Sequence, residues 1–289
     1  MSSKKLMMGA ALALATLTGG AQAALVYANN PGGDLFTNAS GSNQGQAVGA
    51  SGWYYNNVRA SGEAGIDGTY ARSGNGSARL QGVTGSSKAD IEYLAGGVNV
   101  SGNFYASSSL GLFKDFTVMQ YDWLRDSSSA ATAHLQPVMR ILLDADGDLG
   151  TTDDRGGLVF EAIYNAVSVP TDSWQTSVVT NSTNLWNFGL GLGFAANING
   201  TAYAYDATLA EWHAYFLNAA ILGFSLGVGT GWDAFEGAVD NVSWTIGTVT
   251  SSFNFEMRDG GGAVPEPATL LIAGTALLGL AAARRRRPR

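Results

Sequence analysis

The residues with the clearest capacity for chemistry are five aspartates in the stretch DADGDLGTTDD. They first alternate and then stand side by side, at Asp144, Asp146, Asp148, Asp153 and Asp154. Hard cations such as Ca²⁺ prefer oxygen ligands, and a bend through this stretch would bring the carboxylates together. Repulsion among them gives the loop a reason to bind a cation. The stretch therefore predicts a calcium site, and the alternative is a solvated acidic hairpin loop.

The spacing of these aspartates resembles the start of an EF-hand or dockerin-type calcium loop, with Gly147 and Gly150 supplying flexibility. Two positions depart from that pattern. Leu149 stands where the glycine is expected, and Arg155 stands where the bidentate glutamate is expected. No helical pattern flanks the loop, so an ion here is expected to join the segments PVMRILLD and GLVFEAIY and to take no part in a reaction.

The sequence has no His-Glu-x-x-His zinc motif and no phosphate-binding loop. A glycosidase needs two carboxyl groups about 5 to 10 Å apart. The sequence offers four candidates without pairing them, Glu161, Glu211, Asp233 and Glu236. His134 and His213 stand in no nucleophile motif. We therefore assign no catalytic residue, and a non-catalytic protein is the favoured interpretation.

Two stretches bear on carbohydrate binding. Trp53, Tyr54 and Tyr55 could stack on the apolar face of a sugar, although packing of Trp53 and Tyr55 in the core is favoured. The stretch GWDAFEGAVDNVSWTI is similar to the closing strands of carbohydrate-binding jelly rolls and of other concanavalin- or galactose-binding-like sandwiches. This resemblance implies that Asp240 ties its strand to a loop or an ion; the alternative is that it merely begins a strand. No ligand-binding residue is assigned.

The segments that must position these residues are predicted to form mainly short strands. FTVMQYDWL places Phe116 and Val118 on one face and Thr117 and Met119 on the other, and several similar apolar runs lie between Gly, Ser, Asp or Pro residues. GLGLGF from Gly189 and LGFSLGVG from Leu222 alternate large and small residues, as in strands with one bare face. This pattern predicts a mainly β fold, an antiparallel, jelly-roll-like sandwich.

One helix is predicted over residues 209–219. Leu209, Trp212 and Phe216 recur at helical spacing, and Thr208 with Glu211 forms a capping box at the start.

Composition limits the classes of partner. The chain has 289 residues, 46% of them hydrophobic and 13% charged, and no cysteine, which fits a folded body without disulfides. Residues 24–264 carry 9 basic and 22 acidic side chains, a formal charge of −13. This charge would repel nucleic acid phosphates, so we expect no nucleic acid partner.

The first 23 residues predict a secretory signal peptide. Lys4 and Lys5 form a basic region, an apolar stretch runs over 6–17, and Ala21-Gln22-Ala23 is a small-x-small cleavage site. The apolar stretch is shorter than the ~20 residues that span a bilayer, so cleavage by signal peptidase before Ala24 is favoured over a retained anchor.

The C-terminus has three parts in order: Val264-Pro265-Glu266-Pro267, an apolar run over 268–283, and the arginines 284–287. Prolines keep the first part extended and accessible. The apolar run would cover roughly 24 Å as a helix, enough to span a bilayer with tilt. The arginines would hold its end on the cytoplasmic side. An ordinary C-terminal membrane anchor is the alternative interpretation.

This order of parts resembles the PEP-CTERM sorting signal of Gram-negative bacteria. The resemblance implies transient anchoring in the inner membrane, processing by an exosortase at 264–267, and release or attachment at the cell surface. Proteins of this class commonly accompany exopolysaccharide production and biofilm or floc formation.

The predicted domains are a signal peptide (1–23), a β-sandwich body (24–262) and the sorting signal (264–289). Two functions stay open for the body: a non-catalytic surface or matrix protein associated with polysaccharide, and a calcium-dependent polysaccharide hydrolase or lyase.

Overall fold

The computed structural model describes residues 22–38, 45–97 and 108–258. They form two facing β-sheets with a single short α-helix, which confirms the predicted mainly β, antiparallel sandwich. The proposed signal helix up to residue 21 and the whole sorting tail lie outside the described residues. Within the described ranges, no helix combines the length and apolar character needed to cross a bilayer.

The first sheet has eight strands in the order β1-β16-β15-β6-β5-β2, and β9 pairs with β15 and carries β12. All its pairs are antiparallel except β1 with β16, which run parallel. The strands are β1 (Ala24–Tyr27), β2 (Phe36–Thr37), β5 (Glu63–Asp67), β6 (Ser77–Gly82), β9 (Phe116–Arg125), β12 (Gln175–Val179), β15 (Phe235–Ile246) and β16 (Val249–Glu256).

The second sheet also has eight strands, in the order β13-β11-β10-β14-β7-β4-β3, with β8 beside β14. All of its pairs are antiparallel. The strands are β3 (Gln46–Ala47), β4 (Trp53–Arg59), β7 (Lys88–Leu94), β8 (Gly111–Leu112), β10 (Val138–Asp144), β11 (Arg155–Phe160), β13 (Trp186–Gly189) and β14 (Ala220–Val228).

Aromatic side chains fill the space between the two sheets. Trp53 of the second sheet is fully buried, and its ring centroid lies 5.0 Å from that of Phe255 and 5.5 Å from that of Phe253, both in the first sheet. Trp244 lies 6.0 Å from Trp53. Burying such large rings adds to the hydrophobic free energy that stabilises a chain without disulfides.

The helix α1 spans Leu209–Tyr215, which is shorter than the predicted 209–219. Its start is confirmed, since Thr208 accepts a hydrogen bond from the Glu211 N–H and the Glu211 carboxylate accepts one from the Thr208 N–H. It ends early because the following residues pair as a strand: Ala220 begins β14 opposite Leu112. The sheet hydrogen bonds therefore prevail over the helical pattern.

Two strand predictions are wrong in detail. GLGLGF forms a turn and not a strand, because Gly189, Leu190 and Gly191 all have positive φ and end β13. In β9 the register shifts between Phe116 and Val118, so Phe116 is buried while Thr117 is exposed. Such a bulge reverses the face of the residues before it. LGFSLGVG is a strand, as predicted.

Candidate functional site

The outer face of the second sheet carries a row of charged, polar and aromatic side chains. Partnered positions form a row across five strands, from Trp186 in β13 through Val159, Arg140 and Ser225 to Glu92 in β7. Side chains at directly partnered positions point to the same face of a sheet. Trp186 and Arg140 are two strands apart, or about 10 Å at the usual strand spacing. The sheet therefore brings an aromatic ring and charged groups onto one surface.

Charged groups are buried within this face. Asp90 is fully buried, and its carboxylate accepts a hydrogen bond from Arg140 at 3.1 Å and lies 3.6 Å from the Lys88 ammonium. Glu92 accepts a 2.6 Å hydrogen bond from Asn56, and burial together with Asp90 raises its pKa to about 7. Burial lowers the pKa of Lys88 to about 8. Buried charges of this kind persist only when they are paired and hydrogen-bonded.

Gly227 makes room for this charge network. A Cβ atom at Gly227 would lie 1.8 Å from Asp90 Oδ1. Gly157 does the same for a ring, since a Cβ there would lie 2.8 Å from the side chain of Phe188. The bare faces of these strands are therefore covered by a carboxylate and an aromatic side chain.

A groove of about 390 Å³ lies over this face, at the end of the sheet near Trp232. We call it the groove. Its polar side chains are Lys88, Arg140, Glu161 and Thr230. Its six aromatic side chains are Tyr164, Trp186, Phe188, Phe194, Tyr205 and Trp232. A concave site with aromatic walls and a few polar groups is typical of ligand-binding sites.

The aromatic rings of the groove contact one another and stay accessible. Tyr164 stacks on Tyr205 with centroids 4.5 Å apart, and Trp186 lies 4.9 Å from Phe194. Trp186, Tyr164 and Tyr205 are half-buried, while Phe194 is 70% exposed. Tyr203, which is 50% exposed, extends the cluster. Rings left on the surface in one contiguous cluster mark an interaction site, whereas single exposed rings do not.

Glu161 is the one carboxylate among the described residues that line the groove. It lies directly after β11 and is half-buried. Burial raises the pKa of Glu161, and the nearby Arg140 and Trp186 side chains oppose that shift. None of the ion pairs found within the described ranges involves Glu161. Glu161 thus lines the groove without a direct ion-pair partner among the described residues.

The other carboxylates considered from the sequence do not join Glu161. Glu211 caps helix α1, and Glu236 pairs with Arg79 at 2.8 Å on the first sheet. Asp233 is exposed in the loop before β15. His213 packs edge-on against Phe113, with ring centroids 4.5 Å apart. The groove thus presents one acid and no paired carboxylates.

The acidic loop is the β10–β11 hairpin connection, and the structure groups three of its five aspartates. One carboxylate oxygen from each of Asp144, Asp146 and Asp154 lies within 4.8 Å of the other two. Ca²⁺ holds oxygens at about 2.3–2.6 Å, so oxygens around one ion are up to about 5 Å apart. Asp148 and Asp153 are exposed and lie outside this group. The spacing therefore suits a cation bound by three carboxylates.

Arg155 provides an internal cation beside this group. Its guanidinium lies 3.0 Å from Asp144 Oδ2 and donates to the Leu149 carbonyl at 3.1 Å. The other oxygen of Asp144 is buried without a hydrogen-bond partner among the described residues. Burial raises the pKa of Asp144, and Arg155 opposes that shift. One carboxylate oxygen thus stays free for a metal ion even with Arg155 in place.

Trp53, Tyr55 and Asp240 are all buried in the body. Trp53 and Tyr55 are fully buried, which confirms core packing, and Tyr54 is half-buried on the outer face. Asp240 lies in the middle of β15 and accepts a 2.8 Å hydrogen bond from the Phe255 N–H, so it ties β15 to β16. Burial raises the pKa of Asp240 to about 6.

Sequence reasoning missed the aromatic residues of the groove. Trp186, Phe194 and Tyr205 stand in NLWNFGLGLGF and TAYAYDAT, where large residues alternate with small ones. Such alternation predicts a strand and does not indicate a binding site. The number of aromatic residues in these two stretches was the available signal, although it could not show that the rings meet.

Comparisons with solved structures show similarity at low sequence identity. A family 11 carbohydrate-binding module from Clostridium thermocellum in complex with a beta-1,3-1,4-mixed-linked tetrasaccharide is 12% identical, over 75% of this chain and 97% of that chain, with a TM-score of 0.36. Cellulose induced protein Cip1 is 14% identical over 68% and 91%, with a TM-score of 0.37. A CBM4 structure is 12% identical over 68% and 96%, with a TM-score of 0.30.

No curated protein matches the chain. The family model described as the PEP-CTERM protein-sorting motif matches residues 263–287, outside the described body. The match confirms the resemblance of the tail, and it identifies this chain as one that ends in a PEP-CTERM protein-sorting motif.

Proposed function

We propose that this protein is exported, processed by an exosortase and delivered to the cell surface or extracellular matrix, where its body binds polysaccharide without converting it. The observation that carries the binding function is the cluster of accessible rings in the groove, with Trp186 and Tyr205 at its centre. Flat rings pack against the apolar faces of sugars, while groups such as Glu161 accept hydrogen bonds from sugar hydroxyls.

A polysaccharide hydrolase or lyase has less support. Hydrolysis of a glycosidic bond uses two carboxyl groups on either side of the bond. The groove offers Glu161 alone, because Asp90 and Glu92 are buried behind it and bonded to other side chains. Binding is therefore the simpler function for this geometry.

A glycan array tests the proposal. The full chain, kept in detergent, should bind at least one polysaccharide or oligosaccharide on the array, and the bound glycan should be recovered intact after prolonged incubation. Release of shorter fragments would establish the hydrolase or lyase in place of the binding protein. Failure to bind any glycan would count against both.

The proposed domains are a signal peptide (1–23), the β-sandwich body (24–262) and the sorting signal (264–289). The body's boundary is supported by β1, which begins at Ala24 and pairs with the last strand, β16. We infer that signal peptidase cleaves before Ala24, and that the tail anchors the protein in the inner membrane until an exosortase cleaves near Pro265-Glu266-Pro267.

Processing at both ends gives a mass-spectrometric prediction. Protein recovered from the surface of the native cells should yield a peptide that begins at Ala24 and ends at Arg59, the first basic residue of the body. The tryptic peptide from Asp259 to Arg284 should be missing, because exosortase cleavage falls inside it. Cells that lack the exosortase serve as the control and should retain that peptide. Its recovery from the surface form of normal cells would contradict the sorting proposal.

We also propose that the acidic loop binds Ca²⁺ through Asp144, Asp146 and Asp154, as a structural ion that joins β10 to β11. The support is the mutual distance of the three carboxylates and the unpartnered oxygen of Asp144. Asp148 and Asp153, the other predicted ligands, could reach the ion only if the loop rearranges, because they lie outside the group.

Calcium should raise the melting temperature of the full chain. A ligand that binds only the folded state stabilises it by RT ln(1 + [L]/Kd), which is ~1.4 kcal/mol at ten times Kd. The variant Asp146→Asn/Asp154→Asn should lose this shift between calcium and chelator. The matched variant Asp148→Asn/Asp153→Asn, with the same change of charge in the same loop, should keep it. Equal melting of the unmodified chain in calcium and in chelator would contradict the proposal.

A further inference from the structure

The cations and the anion that line the groove differ in whether they form ion pairs. Its two cations, Lys88 and Arg140, are both bound to Asp90, at 3.6 Å and 3.1 Å. Their side chains are 13% and 8% exposed, so little of either cation is presented to a ligand. The anion of the groove, Glu161, has no partner among the ion pairs of the described residues. The two cations of the groove are therefore paired directly with Asp90, whereas its anion forms no direct ion pair.

The rest of the body strengthens the same field. Residues 24–264 carry a formal charge of −13. Two of the acidic residues stand close to the groove: Glu92 is paired with Ser225 in the row across the sheet, and Asp206 follows Tyr205 in the chain. Like charges placed together across a binding surface disfavour the wrong partner by repulsion. An anionic polymer would meet this repulsion at every charged sugar, whereas an uncharged polymer would meet none.

We infer that the groove is selective for uncharged polysaccharides, and that Glu161 is the residue that discriminates against uronate-bearing or otherwise anionic chains. The inference rests on the proposed function, since it assigns the class of glycan to the same groove. Glu161 acts in two ways: its carboxylate accepts hydrogen bonds from the hydroxyls of a neutral sugar, and its charge repels a carboxylate on the ligand.

Matched pairs of polysaccharides test this inference. Cellulose, β-1,3-glucan, dextran and mannan would each be compared in a soluble neutral form and in a carboxymethylated form, at pH 8 and low ionic strength, by affinity electrophoresis or calorimetry with the full chain in detergent. We expect at least one neutral form to bind about tenfold or more tightly than its carboxymethylated partner. High salt should reduce that ratio, because exposed charges are then screened.

The variant Glu161→Gln separates the two roles of the carboxylate. It keeps a hydrogen-bond acceptor and removes the charge, so the ratio between neutral and carboxymethylated forms should fall to within about threefold. Glu63→Gln, which makes the same change on the first sheet, should leave the ratio unaltered.

The outcomes are distinguishable. Carboxymethylated forms that bind as tightly as neutral ones, or a ratio that Glu161→Gln does not change, would overturn the inference and leave polysaccharide binding in place. Absence of binding to every form would instead overturn the proposed function, and the inference with it.

Discussion

The double variant Trp186→Ala/Tyr205→Ala should weaken polysaccharide binding by about 100-fold. The two rings face the same groove, with centroids 6.2 Å apart, and both are half-buried. Removing a large aromatic contact at a binding site costs about 2 kcal/mol or more when it is a hot spot, and 1.4 kcal/mol is a factor of ten. Two rings that share one ligand need not add, so about 100-fold is the expected combined loss.

A matched control distinguishes lost binding from lost structure. Trp174→Ala/Tyr215→Ala removes the same two side-chain types outside the groove: Trp174 lies beneath Arg72, and Tyr215 is 48% exposed at the end of α1. This variant should bind glycan as the unmodified chain does. Calorimetry with the best glycan from the array measures both. Undiminished binding by Trp186→Ala/Tyr205→Ala would show that the groove is not the binding site.

Replacing Arg140 with leucine should lower the free energy of unfolding by about 3–5 kcal/mol. Removing one partner of a buried ion pair leaves the other charge buried and uncompensated. Asp90 is fully buried, and among the described residues it would keep the Lys88 ammonium at 3.6 Å and a hydrogen bond from the Asn57 amide at 2.6 Å. Arg140 also lowers the pKa of Glu92, so its loss leaves two neighbouring carboxylates with less positive charge between them.

Urea unfolding at two pH values checks this prediction. Glu92 has a pKa of about 7, so it is largely protonated at pH 5 and largely ionised at pH 8. The loss caused by Arg140→Leu should therefore be larger at pH 8 than at pH 5. The control Arg79→Leu breaks a pair whose side chains are about one-fifth exposed, and should cost about 1 kcal/mol or less. A loss for Arg140→Leu no larger than that of the control would show that the buried network does not stabilise the sheet.

Some features of this protein follow from short stretches of sequence, because the physics that sets them is local. The sorting motif over 263–287 depends on the order of prolines, apolar residues and arginines. The start of α1 depends on Thr208 and Glu211, three residues apart. The assignment of β10 and β14 as strands follows from apolar runs bounded by Gly, Asp and Pro.

Other features were decided by the tertiary structure. The helix predicted to 219 ends at Tyr215 because Ala220 pairs with Leu112, which lies more than 100 residues earlier in the chain. Of the five aspartates in the acidic loop, the path of the backbone brings only the carboxylates of Asp144, Asp146 and Asp154 close together. A count of ligands in the sequence could not make that selection, since it depends on the path of the loop.

The groove is the clearest case of a feature set by tertiary structure. Arg140, Glu161, Trp186 and Tyr205 are spread over 66 positions of the sequence, and cross-strand register together with the loop after β13 brings them to one surface. Register is fixed by the burial of the opposite face of each strand, where Ile141 and Leu158 pack into the core. The sequence determined the fold class and the sorting tail, and long-range pairing of strands determined where a ligand can bind.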